Sequence, residues 1–546
     1  MGELRTYMNE ISSSLPPSVD IAREMARGQD LLRQGRVEEA VVIGERLVAA
    51  WPQHAVAHAF AAEVRNVEGR FDIALEHIDG AIALSDDLQH QVKRAWLLSR
   101  GHRRDEIPAL LARLAGLAGG NALLLWQIGK LYYHHNSLSE AIDAYRCSLS
   151  LRDAPHVRYD LALALFYSGD VAAAEEELDR LISGGARSGA IAYLRSTLRR
   201  QTSARNHVDE LESWLGDGAL QPIDEAGLLY ALAKEREDLG EYSSAFTCLL
   251  QGARKRRESI DYDVRPVVAG LRDITQATTA DALAASSAGS PEAGAIFIVG
   301  MPRTGTTLTE RILAQSGQVG NAGELVDFEL LLGRAIGKVR AKEPDLSLTQ
   351  AALRVDFNEV GRLYMRDARM MAHGASTFID KMPANFIYCG MIRNALPNAR
   401  MIHLVRDPLD TCYAIFKTLF FRAYEFSYDL EELADYYIAY RRLMQHWHAV
   451  MPGAILDVHY EDLVTDTEGQ ARRIYDWCGL EWTPEALAVP AQGTVYATAS
   501  AAQVREPVHA RSVASSRRHL DGLEPLVRKL ADAGIIDPRD HVNGVG

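Results

Sequence analysis

The sequence predicts a two-part chain of class α + α/β: an N-terminal solenoid of helical repeats, then an α/β domain built on a parallel central sheet. Three observations carry that reading. A helical pattern marked by glycine and alanine returns at a 34-residue interval in the first half. A continuous apolar run, AIFIVG (295 to 300), leads straight into a glycine loop and then a helical stretch. And 546 residues are too many for one ordinary core, while 47% hydrophobic and 24% charged residues are the proportions of a soluble globular protein.

The first 19 residues form a tail with no apolar core of a secretory signal. MGELRT fits the permissive M-G-x-x-x-[ST] myristoylation pattern, but no polybasic second anchor follows it. No apolar run long enough for a membrane span occurs, so the expected location is the cytoplasm. The five cysteines, Cys147, Cys248, Cys389, Cys412 and Cys478, are scattered and have no C-x-x-C spacing. They read as reduced thiols, and no metal site is expected. A net charge of -14 argues against general nucleic-acid binding, which needs a basic face.

From 20 to 274 the chain reads as repeats. RQGRVEEAVVIGERLVAAWP and VEGRFDIALEHIDGAIALS align on Gly35 and Gly69, and Ala40 and Ala74 keep the same interval. Weaker copies follow around Ala141 and Ala174, and LGEYSSAFTCLLQGARKR restates the pattern around Ala245. This resembles the tetratricopeptide repeat, in which two antiparallel helices cross closely over a small residue. The resemblance implies a concave surface for an acceptor, a protein or peptide partner, or a second copy of the chain. The bland alternative is a solenoid that only buries its own apolar faces.

Residues 275 to 292, rich in Ala, Ser, Thr and Gly, read as a linker, with the α/β domain from 293 to 535 and a tail from 536 to 546. The domain opens strand, glycine loop, helix, the order that gathers backbone N–H groups around an anion. GMPRTGTT (300 to 307) is P-loop-like in its glycines and final hydroxyl, but Thr306 replaces the lysine a kinase needs. Pro302, Arg303, Thr304, Gly305, Thr306 and Thr307 instead match the P-[RK]-[ST]-G-T-T loop of sulfotransferases, which holds the 5′-phosphosulfate of 3′-phosphoadenosine 5′-phosphosulfate (PAPS).

Further segments carry the same resemblance. ARMIHLVRDPLDTCYAIF ends a buried strand at Arg406, the place of the 3′-phosphate arginine; Ala414 stands where the family has a serine donor. Glu324 in GNAGELVDF follows Arg303 by 21 residues, as the catalytic base does in the tyrosylprotein sulfotransferase branch. Lys381 in FIDKMPANF corresponds to the lysine that neutralises the transferring sulfuryl group. TASAAQVREPVHARSVASSRRH resembles a stretch of the bacterial tetratricopeptide-repeat sulfotransferases; the resemblance sets Ser500 on the sulfuryl group and Arg505, Arg517 and Arg518 at the nucleotide. Its second half departs, with Ala514, Ser515, Ser516 and His519 where Gly, Arg, Trp and Tyr are usual.

The resemblance therefore implies a PAPS-dependent transferase acting on a hydroxyl, with catalytic residues Glu324, Lys381, Arg303 and Ser500. The acceptor class stays open. LVDFELLLG after Glu324 has no cation until Arg334, which speaks against an acidic tyrosine peptide. Two other readings compete: a repeat scaffold whose transferase-like domain holds nucleotide weakly or not at all, favoured by Ala414 and the Ser515–Ser516 pair, and a P-loop kinase, opposed by the missing lysine.

Overall fold

A computed structural model describes residues 21–537 apart from 217, 219, 422, 490–497 and 499; the myristoylation pattern lies outside the described residues. The chain divides into two compact units, residues 1–157 and 158–546.

The first unit is made of antiparallel helix pairs. Ile21–Arg33 turns into Val37–Ala50 at Gly35 (φ 73°), and Ala55–Val67 turns into Phe71–Leu84 at Gly69 (φ 83°). The left-handed backbone there is why glycine recurs. Before Leu138–Leu151 the same turn falls on Asn136 (φ 58°), a residue that tolerates this region, and the repeat reads less cleanly for that reason. Ala40, Ala74 and Ala141 are completely buried, so neighbouring helices approach where no longer side chain fits.

In the second unit the helical pattern continues through Val171–Ser183, Pro222–Asp238 and Tyr242–Glu258. These helices share one core with the α/β domain: Leu229, Tyr230, Phe246 and Leu249 belong to the same cluster as Phe297, Phe416, Tyr428 and Trp447. The expected linker carries the short helix Ala280–Ala284 and is tied down along its length. Ser286 Oγ donates to Leu353 O (3.1 Å), Ser287 Oγ to Val355 O (3.0 Å), and Ser290 N to Ala395 O (2.8 Å).

The sheet has five parallel strands, β1 (Ala295–Gly300), β2 (Gly320–Gly323), β3 (Phe378–Asp380), β4 (Arg400–Val405) and β5 (Ile455–His459), in the order β2-β3-β1-β4-β5. Alternate residues of β1 feed two cores: Phe297 and Val299 join the large cluster, Ile296 and Ile298 the smaller one with Ile402, Val458 and Ile474. Burial on both faces explains the unbroken apolar run. All strands run the same way, so Gly300, Gly323, Asp380 and Val405 end at one edge of the sheet, where α/β proteins bind ligands. Among the described residues no helix is long and apolar enough to cross a membrane.

Candidate active site

The loop between β1 and helix α1 (Thr306–Ala314) is held by geometry that only glycine satisfies. Gly300 (φ 144°) and Gly305 (φ 101°) both have positive φ; a Cβ would stand 2.8 Å from Leu404 O at the first and 2.7 Å from the Tyr460 ring at the second. Arg303 adopts φ 68°, uncommon for a residue with a side chain and a mark of a constrained functional loop. Thr304 Oγ1 donates to Met301 O (2.7 Å), closing the turn. The first N–H groups of α1 thus face the end of the sheet, with Thr306 and Thr307 buried in its opening turn.

Glu324 and Lys381 lie 57 positions apart in the chain and meet because β2 and β3 pair in parallel. Each stands one residue beyond its strand, and Lys381 N donates to Gly323 O (2.9 Å). The Lys381 ammonium bonds the Glu324 carboxylate and lies 3.7 Å from Glu310 on α1. Lys381 is buried, whereas Glu324 keeps 36% of its side chain exposed, open to an incoming reactant. Burial works against the lysine charge, yet Glu324 and Glu310 carry its pKa above the ordinary value, so it stays an ammonium. Burial pushes the Glu310 carboxyl up, while Lys381 and a hydrogen bond from Asn321 Nδ2 (2.6 Å) oppose the shift.

Arg406 leaves the end of β4, its guanidinium 4.8 Å over the Tyr460 ring. Nη1 donates to Arg303 O (2.9 Å) and Nη2 to Ser512 O (2.6 Å), while Nε is buried without a partner. The segment 500 to 516 closes over the loop. Arg303 donates to Ser500 Oγ and to Gln503 Oε1 (2.7 Å), and Thr307 Oγ1 meets Thr498 Oγ1 at 3.4 Å. Arg303, Arg406, Ala414, Tyr460, Ser500 and Ser515 line one cleft, which encloses about 100 Å³ of free space.

Residues 295–484 match the model of the sulfotransferase family. That stretch is the part of the chain similar to the family. A protein of Aquifex aeolicus (strain VF5), described only as uncharacterised, is 30% identical over 352 residues, 61% of this chain and 46% of that protein. The omega-hydroxy-beta-dihydromenaquinone-9 sulfotransferase Stf3 of Mycobacterium bovis (strain ATCC BAA-935 / AF2122/97) is 29% identical over 132 residues, 23% of this chain and 32% of Stf3. Protein-tyrosine sulfotransferase A of Caenorhabditis elegans is 27% identical over 208 residues, 35% of this chain and 51% of that protein. The chain spans about half the length, or less, of these curated relatives.

Within the sulfotransferase domain, three of the expected nucleotide cations are not brought to the loop. Arg505 Nη2 donates to Tyr167 O (2.8 Å), with its guanidinium against Gly169. Arg517 and Arg518 are exposed, and Arg518 lies 4.7 Å over the Tyr242 ring. Arg517 and Arg518 sit on the turn Ser515–Leu523, whose buried side is taken by Ser515, Ser516 and His519.

Other residues join the site without having been singled out. Arg311, buried on α1, donates to Val504 O and Glu506 O (both 2.9 Å) and so anchors the closing segment. Asp410, in the first turn of helix α2 (Pro408–Phe416), accepts from Ala514 N (2.5 Å) and Ser516 N (2.9 Å). Burial pushes the hydroxyls of Tyr167 and Tyr424 up; the Glu324 charge adds to the shift of both, after Tyr159 in the case of Tyr167. Glu310 and Arg311 are adjacent charges just ahead of the apolar Ile312–Leu313–Ala314 turn; nothing in the sequence marks Tyr167 or Tyr424.

Proposed function

We propose that the protein transfers the sulfuryl group of PAPS to an acceptor hydroxyl. The observation that carries this reading is the contact of Glu324 with Lys381 at the strand ends beside the loop. The loop's glycines bring backbone N–H groups to an anion, Arg303 and Arg406 supply cations, and the partnerless buried Nε of Arg406 is a donor waiting for an acceptor. These features fit a nucleotide bearing a 5′-phosphosulfate and a 3′-phosphate.

In this reading Glu324 takes the acceptor proton as the acceptor oxygen bonds to sulfur. The bond from sulfur to the bridging oxygen breaks, and the departing nucleotide keeps the electron pair. Lys381 and Arg303 offset the charge that develops on the sulfuryl and bridging oxygens, and Ser500 adds a hydroxyl beside Arg303. Glu310 keeps Lys381 charged and in place. Tyr167 and Tyr424 stand on the acceptor side.

About 100 Å³ of free space is small beside the ~300–1,000 Å³ of ordinary ligand pockets. The segment 500 to 516 therefore moves outward as nucleotide enters, exchanging the bonds of Arg303 to Ser500 and Gln503 for bonds to the ligand. The reading also includes a cytoplasmic location and a repeat surface that recruits the acceptor or a partner. The competing scaffold reading is favoured by the exposure of Arg517 and Arg518 and by the placement of Arg505 against Tyr167 and Gly169.

Thermal-shift titration with adenosine 3′,5′-bisphosphate and with ATP–Mg²⁺, followed by transfer of label from PAPS to cell extract, tests the proposal. Stabilisation by the bisphosphate and labelled product are expected. Bisphosphate binding without product favours the scaffold. A response to ATP–Mg²⁺ alone overturns both readings in favour of a kinase.

A further inference from the structure

Away from the transfer chemistry, three potential ligand side chains converge on the opposite half of the sheet. His403 on β4 and Asp457 on β5 are register partners, so their side chains leave the same face of adjacent strands. His448 reaches them from the last turns of helix α3 (Leu430–Val450). Asp457 Oδ1 lies 2.8 Å from His403 Nδ1 and 3.0 Å from His448 Nε2, and the three ligand atoms all lie within 4.8 Å of one another. A tetrahedral ion with bonds of about 2.0–2.2 Å separates its ligand atoms by roughly 3.2–3.5 Å. The two distances from Asp457 need only lengthen by a few tenths of an ångström to reach that spacing, and the two ring nitrogens already lie within 4.8 Å of each other.

The surroundings match that use. His403 is buried, and its Nε2 is held by Tyr440 Oη (2.5 Å), which fixes the ring and leaves Nδ1 facing the cluster. His448 and Asp457 are 36% and 39% exposed, so one side opens to solvent for entry and for a water ligand. Two cations stand near: Arg473 donates to the Asp457 backbone oxygen (2.9 Å), and Arg441 acts on His403 from α3.

We propose that His403, His448 and Asp457 form a site for a borderline transition-metal ion of the zinc class, which fastens the edge strand β5 to β4 and α3. Two imidazoles and one carboxylate suit zinc, cobalt or nickel; magnesium and calcium prefer all-oxygen sites. Three protein ligands leave one position for water.

The test uses the full chain stripped with chelator and then titrated with Co²⁺, followed by visible absorption, and with Zn²⁺, followed by calorimetry. The wild type is expected to bind one equivalent of either ion, with the intense absorption of low-coordinate cobalt and a raised thermal midpoint. His448→Ala, altered at a part-exposed position, should weaken binding about 100-fold or more while keeping its affinity for adenosine 3′,5′-bisphosphate. Tyr440→Phe, which keeps the ligands but frees the His403 ring, should weaken it about 10-fold. There are 17 histidines in the chain. Equal stoichiometry and affinity in wild type, His448→Ala and Asp457→Asn would assign binding to the others and overturn the proposal, as would absence of Co²⁺ absorption in the wild type.

Discussion

Glu310, Glu324 and Lys381 form a charge group in which the lysine is buried and one carboxylate is reachable. Replacing Glu324 by glutamine keeps its size and its hydrogen-bonding oxygen but removes the base of the proposed reaction. Base contributions are about 10²–10⁴-fold, so single-turnover transfer should slow by that order with little change in nucleotide affinity. Equal rates for the two proteins would remove Glu324 from the mechanism. One residue before Lys381, Asp380 is completely buried and bonded by Tyr364 Oη (2.6 Å) and Asn385 Nδ2 (3.1 Å). Burial raises its carboxyl to about 7, against about 3.9 in an unfolded chain. The folded state therefore holds more protons than the unfolded state between those values, and this group's contribution to stability falls as pH rises through the window. Asp380→Asn should remove that dependence, so the gap in thermal midpoint between variant and wild type should shift in the variant's favour from pH 5 to pH 8. A constant gap would mean Asp380 is ionised across the range.

At the scale of elements, the closing segment depends on contacts with two helices. Arg311 on α1 takes two of its carbonyls, and Asp410 on α2 takes the N–H groups of Ala514 and Ser516. Asp410→Ala leaves those donors unpaired at a cost of about 1.5–3 kcal/mol for charged hydrogen bonds. Faster proteolysis within 500 to 516 and faster release of adenosine 3′,5′-bisphosphate are expected; an unchanged release rate would show that the segment does not retain nucleotide. The loop was legible in the sequence because its glycines, arginine and hydroxyls are consecutive and the strand before it is plainly apolar. Glu324 and Lys381 could each be picked out, but their contact depends on β2 lying beside β3, which no local pattern encodes. Arg505, Arg517 and Arg518 show the opposite limit, since a basic residue near a motif does not reveal which way its turn faces. His403, His448 and Asp457 belong to three separate elements and have no spacing that marks a ligand set.

The whole chain divides within the repeats, where the sequence shows no break because the helical pattern runs on past residue 158. The helices that follow are structurally part of the second unit. Tyr230 Oη donates to Phe416 O (3.1 Å), Lys417 pairs with Glu237 (2.9 Å), Arg257 with Glu432 (2.8 Å), and Leu419 N donates to Tyr193 Oη (3.0 Å). These bonds ring an apolar interface in which Leu229, Phe246 and Leu249 are buried with Phe416, Leu419 and Phe426. Exposing a large apolar side chain costs about 1.5–3 kcal/mol, and several such losses approach the ~5–15 kcal/mol that ordinarily separates folded from unfolded chains. A protein starting at residue 155, ahead of the helix Pro155–Ser168, should therefore be soluble, unfold cooperatively and still respond to adenosine 3′,5′-bisphosphate. One starting at 293 should aggregate, or bind a hydrophobic dye and show no sharp transition. A 293–546 protein with the thermal midpoint of the longer one would mean that the helices from 158 to 284 contribute nothing to the stability of the domain they pack against.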